Sequence, residues 1–242
     1  MRLFTSSRDD YHDAAMSDYP LVFRALYSIV IGILFAFTKL MWRWEMEDPE
    51  LLYPAGDDAG RIIICNHTSM AEVPCIIAHI WASGRRARPI YKSEFNKARI
   101  VGWAFSRFGG IPVERGTADM KSLRRAKKAL QRGEDVLIFP EGTRIRTDDQ
   151  PVEVHGGFAL MASMAKARIA PIAVCGFRDI TPAGKRIMRP MRCWMRAGAQ
   201  VGAEDAPSDL KRRDQGRWVE EEAVRRMYEL RDALRAEHPG RR

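Results

Sequence analysis

Short apolar runs rich in β-branched residues recur along this chain, and helical stretches separate them. The runs at Arg61–Cys65, Pro89–Tyr91, Ile111–Val113, Val136–Phe139 and Ile169–Val174 read as strands. A further segment, Met191–Arg196, alternates, with Met191, Cys193 and Met195 on one side and Arg192, Trp194 and Arg196 on the other. Trp44–Glu47 adds an edge strand. Between them, residues 74–82, 118–132 and Phe158–Ala167 carry helical patterns. Thr117 is placed as N-cap of the second, and Gly133 stops it. Trp218–Ala236 closes the chain with Val219, Ala223, Met227, Leu230 and Leu234 along one face, after a polar loop at Ala203–Gly216. Strands that alternate with helices predict an α/β layered domain, with a central mixed, largely parallel sheet flanked by helices.

Two of the runs end in polar clusters. Ile62–Cys65 leads into Asn66, His67, Thr68 and Ser69, with Glu72 five residues after His67. Val136–Phe139 leads into Pro140, Glu141, Gly142, Thr143 and Arg144. In open α/β sheets the carboxyl ends of the strands are where ligands bind, so both clusters are expected on one rim. A carboxylate in the turn after a His accepts from one ring nitrogen. That fixes the tautomer and leaves the other nitrogen to take a proton. Ser69-x-x-Glu72 also fits a capping box, in which Glu72 only secures a helix start. Pro74 argues against a helix starting at Ser69, because proline is tolerated only in the first turn. No other histidine completes a metal-binding pattern with His67, and His79 is read as a satisfied packing residue.

A second strand end, Gly109 to Gly116, finishes in Glu114 and Arg115. Arg115 and Arg144 follow similar strand ends and are expected to converge on a phosphate, which the guanidinium fork suits. Lys92 is a further cation after a strand, and Gly142 allows close backbone approach to a ligand.

Lys plus Arg number 40 against 31 Asp plus Glu, a net +9, which fits anionic lipid, phosphorylated substrates or nucleic acid. No nucleic-acid recognition motif supports the last. The helix at 118–132 is strongly basic and reads as a lipid-facing or simply solvated surface. Cys65, Cys75, Cys175 and Cys193 lack C-x-x-C spacing and are read as reduced thiols, with Cys65 as strand packing rather than a nucleophile.

Residues 1–19 are polar and mixed in charge, and read as a mobile lead. Ala25–Thr38 then runs 14 residues without a charge, flanked by Arg24, Lys39 and Arg43. That is short for a span and suits an interfacial or re-entrant membrane helix, with a soluble packing helix and a signal sequence as the other readings. The acidic lead fits a signal poorly. Trp42 and Trp44 are expected at the membrane–water boundary, and the basic flanks favour a cytoplasmic face.

Together these blocks resemble the lysophospholipid acyltransferase family over roughly Arg61 to Ala203. Asn66 to Glu72 resembles the family's N-H-x-x-x-x-D block, Gly109 to Gly116 its second block, and Ile169 to Val174 its proline-containing fourth. Phe139 to Arg144 matches the F-P-E-G-T-R block without a change. Lys92 sits where the family often has Lys before an acidic residue. Two positions depart from the pattern: Glu72 stands where Asp is the norm, and His155 where Lys before Gly is frequent. The apolar run and its flanks set residues 20–44 apart as a membrane-associated segment, and with the resemblance residues 45–242 are expected to form an acyltransferase domain. It implies His67 and Glu72 as the catalytic pair, and Arg115, Glu141, Gly142, Thr143, Arg144 and Lys92 as the acceptor-binding set. The expected reaction moves an acyl chain from acyl-CoA or acyl-carrier protein to a lysophospholipid hydroxyl at a membrane surface, without metal or cofactor. 1-Acylglycerol 3-phosphate, giving phosphatidate, leads the acceptors. Glycerol 3-phosphate, another lysophospholipid or a lyso-aminolipid is the alternative, and a non-catalytic basic lipid-binding protein is the reading from a different class.

Overall fold

The computed structural model describes residues 7–114, 119–181, 185 and 187–241. Its centre is a seven-stranded sheet: β1 (Glu45–Glu47), β2 (Ile62–Cys65), β3 (Ala87–Lys92), β4 (Ile111–Val113), β5 (Asp135–Ile138), β6 (Ile169–Cys175) and β7 (Trp194–Ala197). Their order across the sheet is β1-β7-β6-β2-β5-β3-β4. From β6 to β4 all neighbours run parallel, while β7 turns antiparallel to β6 and β1 lies parallel to β7. The expected mixed, largely parallel sheet is therefore present.

β2 and β6 are apolar at every position, and β5 is apolar after its first residue, Asp135, because both faces are covered. Ile63, Cys65 and Leu137 pack with α2 (Leu21–Trp42) and α4 (Glu72–Ala82). Ile62, Ile64, Val136 and Ile138 point the other way, into α6 (Met120–Gln131), α7 (Gly157–Ala165) and α8 (Arg212–Glu237). Two short helices, α1 (Arg8–Asp13) and α3 (Pro49–Leu52), and α5 (Arg99–Arg107) complete the flanks. The predicted closing-helix face holds: Val219, Ala223, Met227 and Leu234 are buried, with Leu230 packed beside them.

Several expectations are corrected. The described part of the lead is folded, not mobile: α1 carries a Ser7 capping box, and Tyr11, His12, Met16 and Tyr19 are buried. Its acidic residues find distant arginines. Arg125 of α6 reaches Asp9 at 2.6 Å and Asp13 at 2.9 Å, and buried Arg88 donates to Glu134 at 2.7 Å and to the His12 carbonyl at 3.1 Å. Trp42 and Trp44 are buried in the protein rather than held out to a boundary. Lys39 lies over the Trp44 ring, and the Trp44 indole donates to Thr38 at 3.0 Å. α6 takes Asp119 as N-cap, accepting from the Lys121 and Ser122 amides, and Thr117 lies outside the described residues. The stretch 203–216 is not loop throughout, since α8 begins at Arg212. His79 is half-buried, its Nε2 is shielded from solvent with no hydrogen-bond partner among the described residues, and burial pulls its pKa down to about 4. All four cysteines are buried and unpaired, with the Cys65 thiol pushed well up by burial.

Candidate active site

β2 ends at Cys65, and Asn66 extends its pairing by one residue. The Asn66 amide donates to the Val174 carbonyl at 3.3 Å and accepts from the Val174 amide at 2.8 Å. This side-chain zip to β6 fixes where the chain leaves the sheet. His67 follows on the rim.

Four contacts then define His67. Its amide donates to Glu141 Oε2 at 2.8 Å, and its carbonyl accepts from the Ile145 amide at 2.7 Å. Its ring lies 4.3 Å from the Phe139 ring at 31°. Its Nδ1 lies 2.5 Å from Glu72 Oε1. The segment after β5 therefore grips the His67 peptide on both edges and leaves the ring partly open.

Glu72 is the first residue of α4, where the partial positive charge of a helix N-terminus favours a carboxylate. The carboxylate is completely buried and accepts from the Thr68 amide at 2.9 Å, the Thr68 hydroxyl at 2.9 Å and the Ser69 amide at 3.0 Å, as well as from His67. The capping box does not form, because the Ser69 hydroxyl accepts from Ala71 at 3.2 Å instead. Pro74 falls in the first turn, where its missing N–H costs nothing. Glu72 thus holds one tautomer of His67, with Nδ1 the bonded nitrogen and Nε2 the free one.

The other expected residues distribute along the same rim. β2, β5, β3 and β4 are parallel neighbours, so their C-terminal ends stand side by side, about 4.8 Å apart. After β5 the chain turns through Gly142, whose φ of 61° is in the left-handed region that glycine tolerates. Thr143 is exposed and Arg144 half-buried, and no carboxylate pairs with Arg144 among the described residues. Lys92 ends β3, two strands or about 10 Å from the line of His67, and is half-buried without an ion pair among the described residues. Arg115 lies outside the described residues, directly after Glu114 at the end of β4. Glu141 does not face outward with these cations. It is buried and gives one oxygen to His67 and the other to the Tyr228 hydroxyl of α8 at 3.0 Å. Burial raises its carboxyl above the usual range, while those two donors pull the other way. Both of its oxygens are thus engaged within the protein, whereas the resemblance assigns Glu141 to the acceptor.

Tyr228 escaped the sequence reading. It lies one residue off the buried stripe of α8, and no local pattern ties it to Glu141, 87 residues away. Among the described residues, no three His, Cys, Asp or Glu side chains converge for a metal. A cavity of about 410 Å³ beside Tyr53, Arg85 and Arg132 lies at the opposite rim, where β3 and β5 begin, away from His67.

The sequence profile of the acyltransferase family matches residues 43–175. The chain is similar to the chloroplastic 1-acyl-sn-glycerol-3-phosphate acyltransferase of Arabidopsis thaliana, 28% identical over 129 residues that cover 52% of this chain and 35% of that protein. It is also similar to the lyso-ornithine lipid O-acyltransferase of Pseudomonas aeruginosa, 31% identical over 49% of this chain and 44% of that protein. The matched segments thus span less than half the length of these curated relatives. The crystal structure of the 1-acyl-sn-glycerophosphate acyltransferase from Thermotoga maritima has the same fold, with a TM-score of 0.61 over 86% of this chain and 82% of that one at 22% identity.

Proposed function

Because this chain belongs to the acyltransferase family, we propose that it moves a fatty acyl chain from acyl-CoA or acyl-carrier protein to the free hydroxyl of a lysophospholipid, with 1-acylglycerol 3-phosphate as acceptor and phosphatidate as product. The observation that carries this reading is the 2.5 Å contact between His67 Nδ1 and Glu72, on the rim that also carries Lys92 and Arg144. Nε2 of His67 takes the proton from the acceptor hydroxyl. The oxygen attacks the thioester carbonyl carbon, the C–S bond breaks, and the proton passes from the imidazolium to the leaving thiolate. The acceptor itself is the nucleophile, so no acyl-enzyme forms and the reaction calls on no bound cofactor. Arg144, Lys92 and Arg115 hold the acceptor phosphate, Thr143 adds a hydroxyl, and Gly142 lets the headgroup approach the backbone.

The acceptor resides in a membrane, and α2 supports a surface-bound enzyme. Its inner stripe, Phe23, Tyr27, Ile31, Thr38 and Trp42, is buried in the protein. Its outer stripe, Val22, Leu26, Ile29, Ile33, Phe37 and Leu40, is exposed and equally apolar. A helix so docked along its length lies flat, with the outer stripe in the lipid of the cytoplasmic leaflet.

A second acceptor, a lyso-aminolipid, is favoured by one feature. His155, whose amide donates to Pro140 at 2.9 Å, stands at the edge of the acceptor loop where a permanent cation would serve a phosphate better. The test is the purified full chain with liposomes, radiolabelled acyl-CoA or acyl-carrier protein, and a panel of lyso-acceptors. Labelled phosphatidate is the expected product. No transfer to any acceptor, or a His67→Ala protein that transfers at the wild-type rate, sinks the reading.

A further inference from the structure

Cations stand on both sides of His67. Arg144 and Lys92 follow β5 and β3, to one side of β2. On the other side β6 ends at Cys175, and Arg178 lies just beyond it. α8 brings Arg231 and Arg235 to the same place. The loop that leaves β5 crosses over His67, where the Ile145 amide bonds the His67 carbonyl, and then delivers Asp148. Asp148 Oδ1 lies 2.7 Å from Arg178 Nη2 and 3.7 Å from Arg235 Nη1.

One carboxylate oxygen thus serves two guanidinium groups. The Arg178 side chain is only 10% exposed. Arg178 Nη1 and Arg235 Nε are buried with no hydrogen-bond partner among the described residues. Arg231 is held by Asp232 at 2.8 Å and lies 4.4 Å from the Tyr228 ring, so it adds charge without relieving the others. Burial, and then Arg231 and Arg178, pull Arg235 below the usual guanidinium value. Buried donors without acceptors are costly, and a cationic group of this kind is matched by an incoming anion with several acceptor oxygens.

Acyl transfer brings two substrates to one imidazole, and the acceptor cations occupy the β5–β3 side. The thioester donor is left with the β6 side. Acyl-CoA and acyl-carrier protein both carry the thioester on a phosphopantetheine arm with a phosphate at its far end. Tyr228, whose hydroxyl reaches Glu141 beside His67, lies seven residues before Arg235, about 10 Å along α8. The cluster is therefore set back from His67, as the far end of an arm requires.

We propose that Arg178 and Arg235, flanked by Arg231, form an anion subsite on the β6 side of His67 that takes the phosphate of the donor's phosphopantetheine arm. This rests on the acyl-transfer reading, and calorimetric titration of the full chain tests it without turnover. 4′-Phosphopantetheine and pantetheine, which differ by that phosphate alone, are compared as ligands, as are holo- and apo-carrier protein, with CoA measured beside them to tell the two donors apart. The phosphate-bearing member of at least one pair is expected to bind at least about tenfold more tightly, and Arg178→Gln or Arg235→Gln to remove about ten- to hundredfold of that affinity. Asp148→Asn separates a subsite from a mere loop clamp. It removes the competing carboxylate and keeps both cations, so it tightens phosphate binding if the subsite is real and weakens it if the arginines only hold the loop. Equal binding of the phosphate-bearing and phosphate-free ligands, or arginine variants that keep wild-type affinity for both CoA and holo-carrier protein, overturns the subsite. Arginine-dependent CoA binding by a chain that transfers no acyl group would instead support the subsite and remove the reading it grew from.

Discussion

His67 Nδ1 and Glu72 Oε1 stand 2.5 Å apart, and the carboxylate behind that contact has no freedom to leave it. Both oxygens are engaged by the Thr68 and Ser69 groups of the same turn. Every partner is a donor, so an amide at this position presents its NH₂ to an N–H or an O–H. Glu72→Gln is expected to lower kcat by about 10³- to 10⁴-fold, as loss of the orienting carboxylate does in other His–carboxylate pairs. Glu72→Asp keeps the charge and retracts it by about one C–C bond, about 1.5 Å, so it should retain much more activity. Steady-state acyl transfer by the two variants decides the matter, and equal losses would mean that reach, not charge, is what the site needs.

Tyr228 links the last helix to the His67 turn through Glu141. Burial already raises that carboxyl, and the Tyr228 hydroxyl is one of the two donors that oppose it. The carboxylate also faces Glu72, which adds to the rise, and His67, which opposes it. Tyr228→Phe removes a donor to the anion, so the Glu141 pKa moves further up and the carboxylate is lost sooner as pH falls. The acid limb of the pH–rate profile should shift to higher pH, with kcat down about five- to tenfold at neutral pH. A profile of unchanged shape would reduce Tyr228 to packing.

Much of this was legible from the sequence, and the limits have physical causes. The central strands β2 and β6 were plain because both their faces are covered, so each reads as an unbroken apolar run. His67 and Glu72 were legible because the residues of one turn dictate their meeting. Glu141 was found but its burial was not, because its partners come from the turn after β2 and from α8. The folded lead was missed because Asp9 and Asp13 look solvated until Arg125, more than 110 residues away, closes on them. Trp42 and Trp44 show the same limit: an amphipathic ring beside an apolar helix suits a lipid boundary and a protein core equally.

Arg144 tests the acceptor. Its side chain is half-buried beside the turn that grips His67, with no carboxylate partner among the described residues. Arg144→Ala should raise KM for a phosphorylated acceptor about ten- to hundredfold, the worth of a charge-assisted hydrogen bond, and leave a phosphate-free lyso-aminolipid nearly unaffected. Equal effects on both acceptors would assign Arg144 to the turn rather than to the headgroup.

Asp135 tests stability separately from chemistry. It begins β5, at the far end from Glu141, and is completely buried. Arg85 donates to its two oxygens at 2.9 Å each, and the Tyr53 hydroxyl and the Arg61 amide also reach it, at 2.9 and 3.1 Å. Asp135→Ala leaves Arg85 without its carboxylate and takes from buried Arg61 one of its two neighbouring carboxylates, Asp57 being the other, at a cost of about 3–5 kcal/mol. A lowered urea midpoint with unchanged kcat in the folded fraction is the expected result. A midpoint within error of wild type would mean that water replaces the carboxylate without penalty.

The outer stripe of α2 gives the last test, because it separates a membrane surface from a soluble packing helix. Ile29 and Ile33 are 60% and 63% exposed, one turn apart, and neither side chain supports the core. Exposed positions of this kind change folding stability by less than about 0.5 kcal/mol when replaced. Lipid is less forgiving: an Asp within an apolar membrane segment costs about 2.5–3.5 kcal/mol at full depth and less near the surface. Ile29→Asp with Ile33→Asp should therefore keep the wild-type melting curve and lose at least about tenfold in partitioning to anionic liposomes by flotation. Acyl transfer to lipid in those liposomes should fall with it, while transfer to a short-chain, monomeric acceptor persists. If the wild-type chain itself stays with the aqueous fraction, or if both acceptors lose activity together, the stripe is not how this protein reaches its substrate.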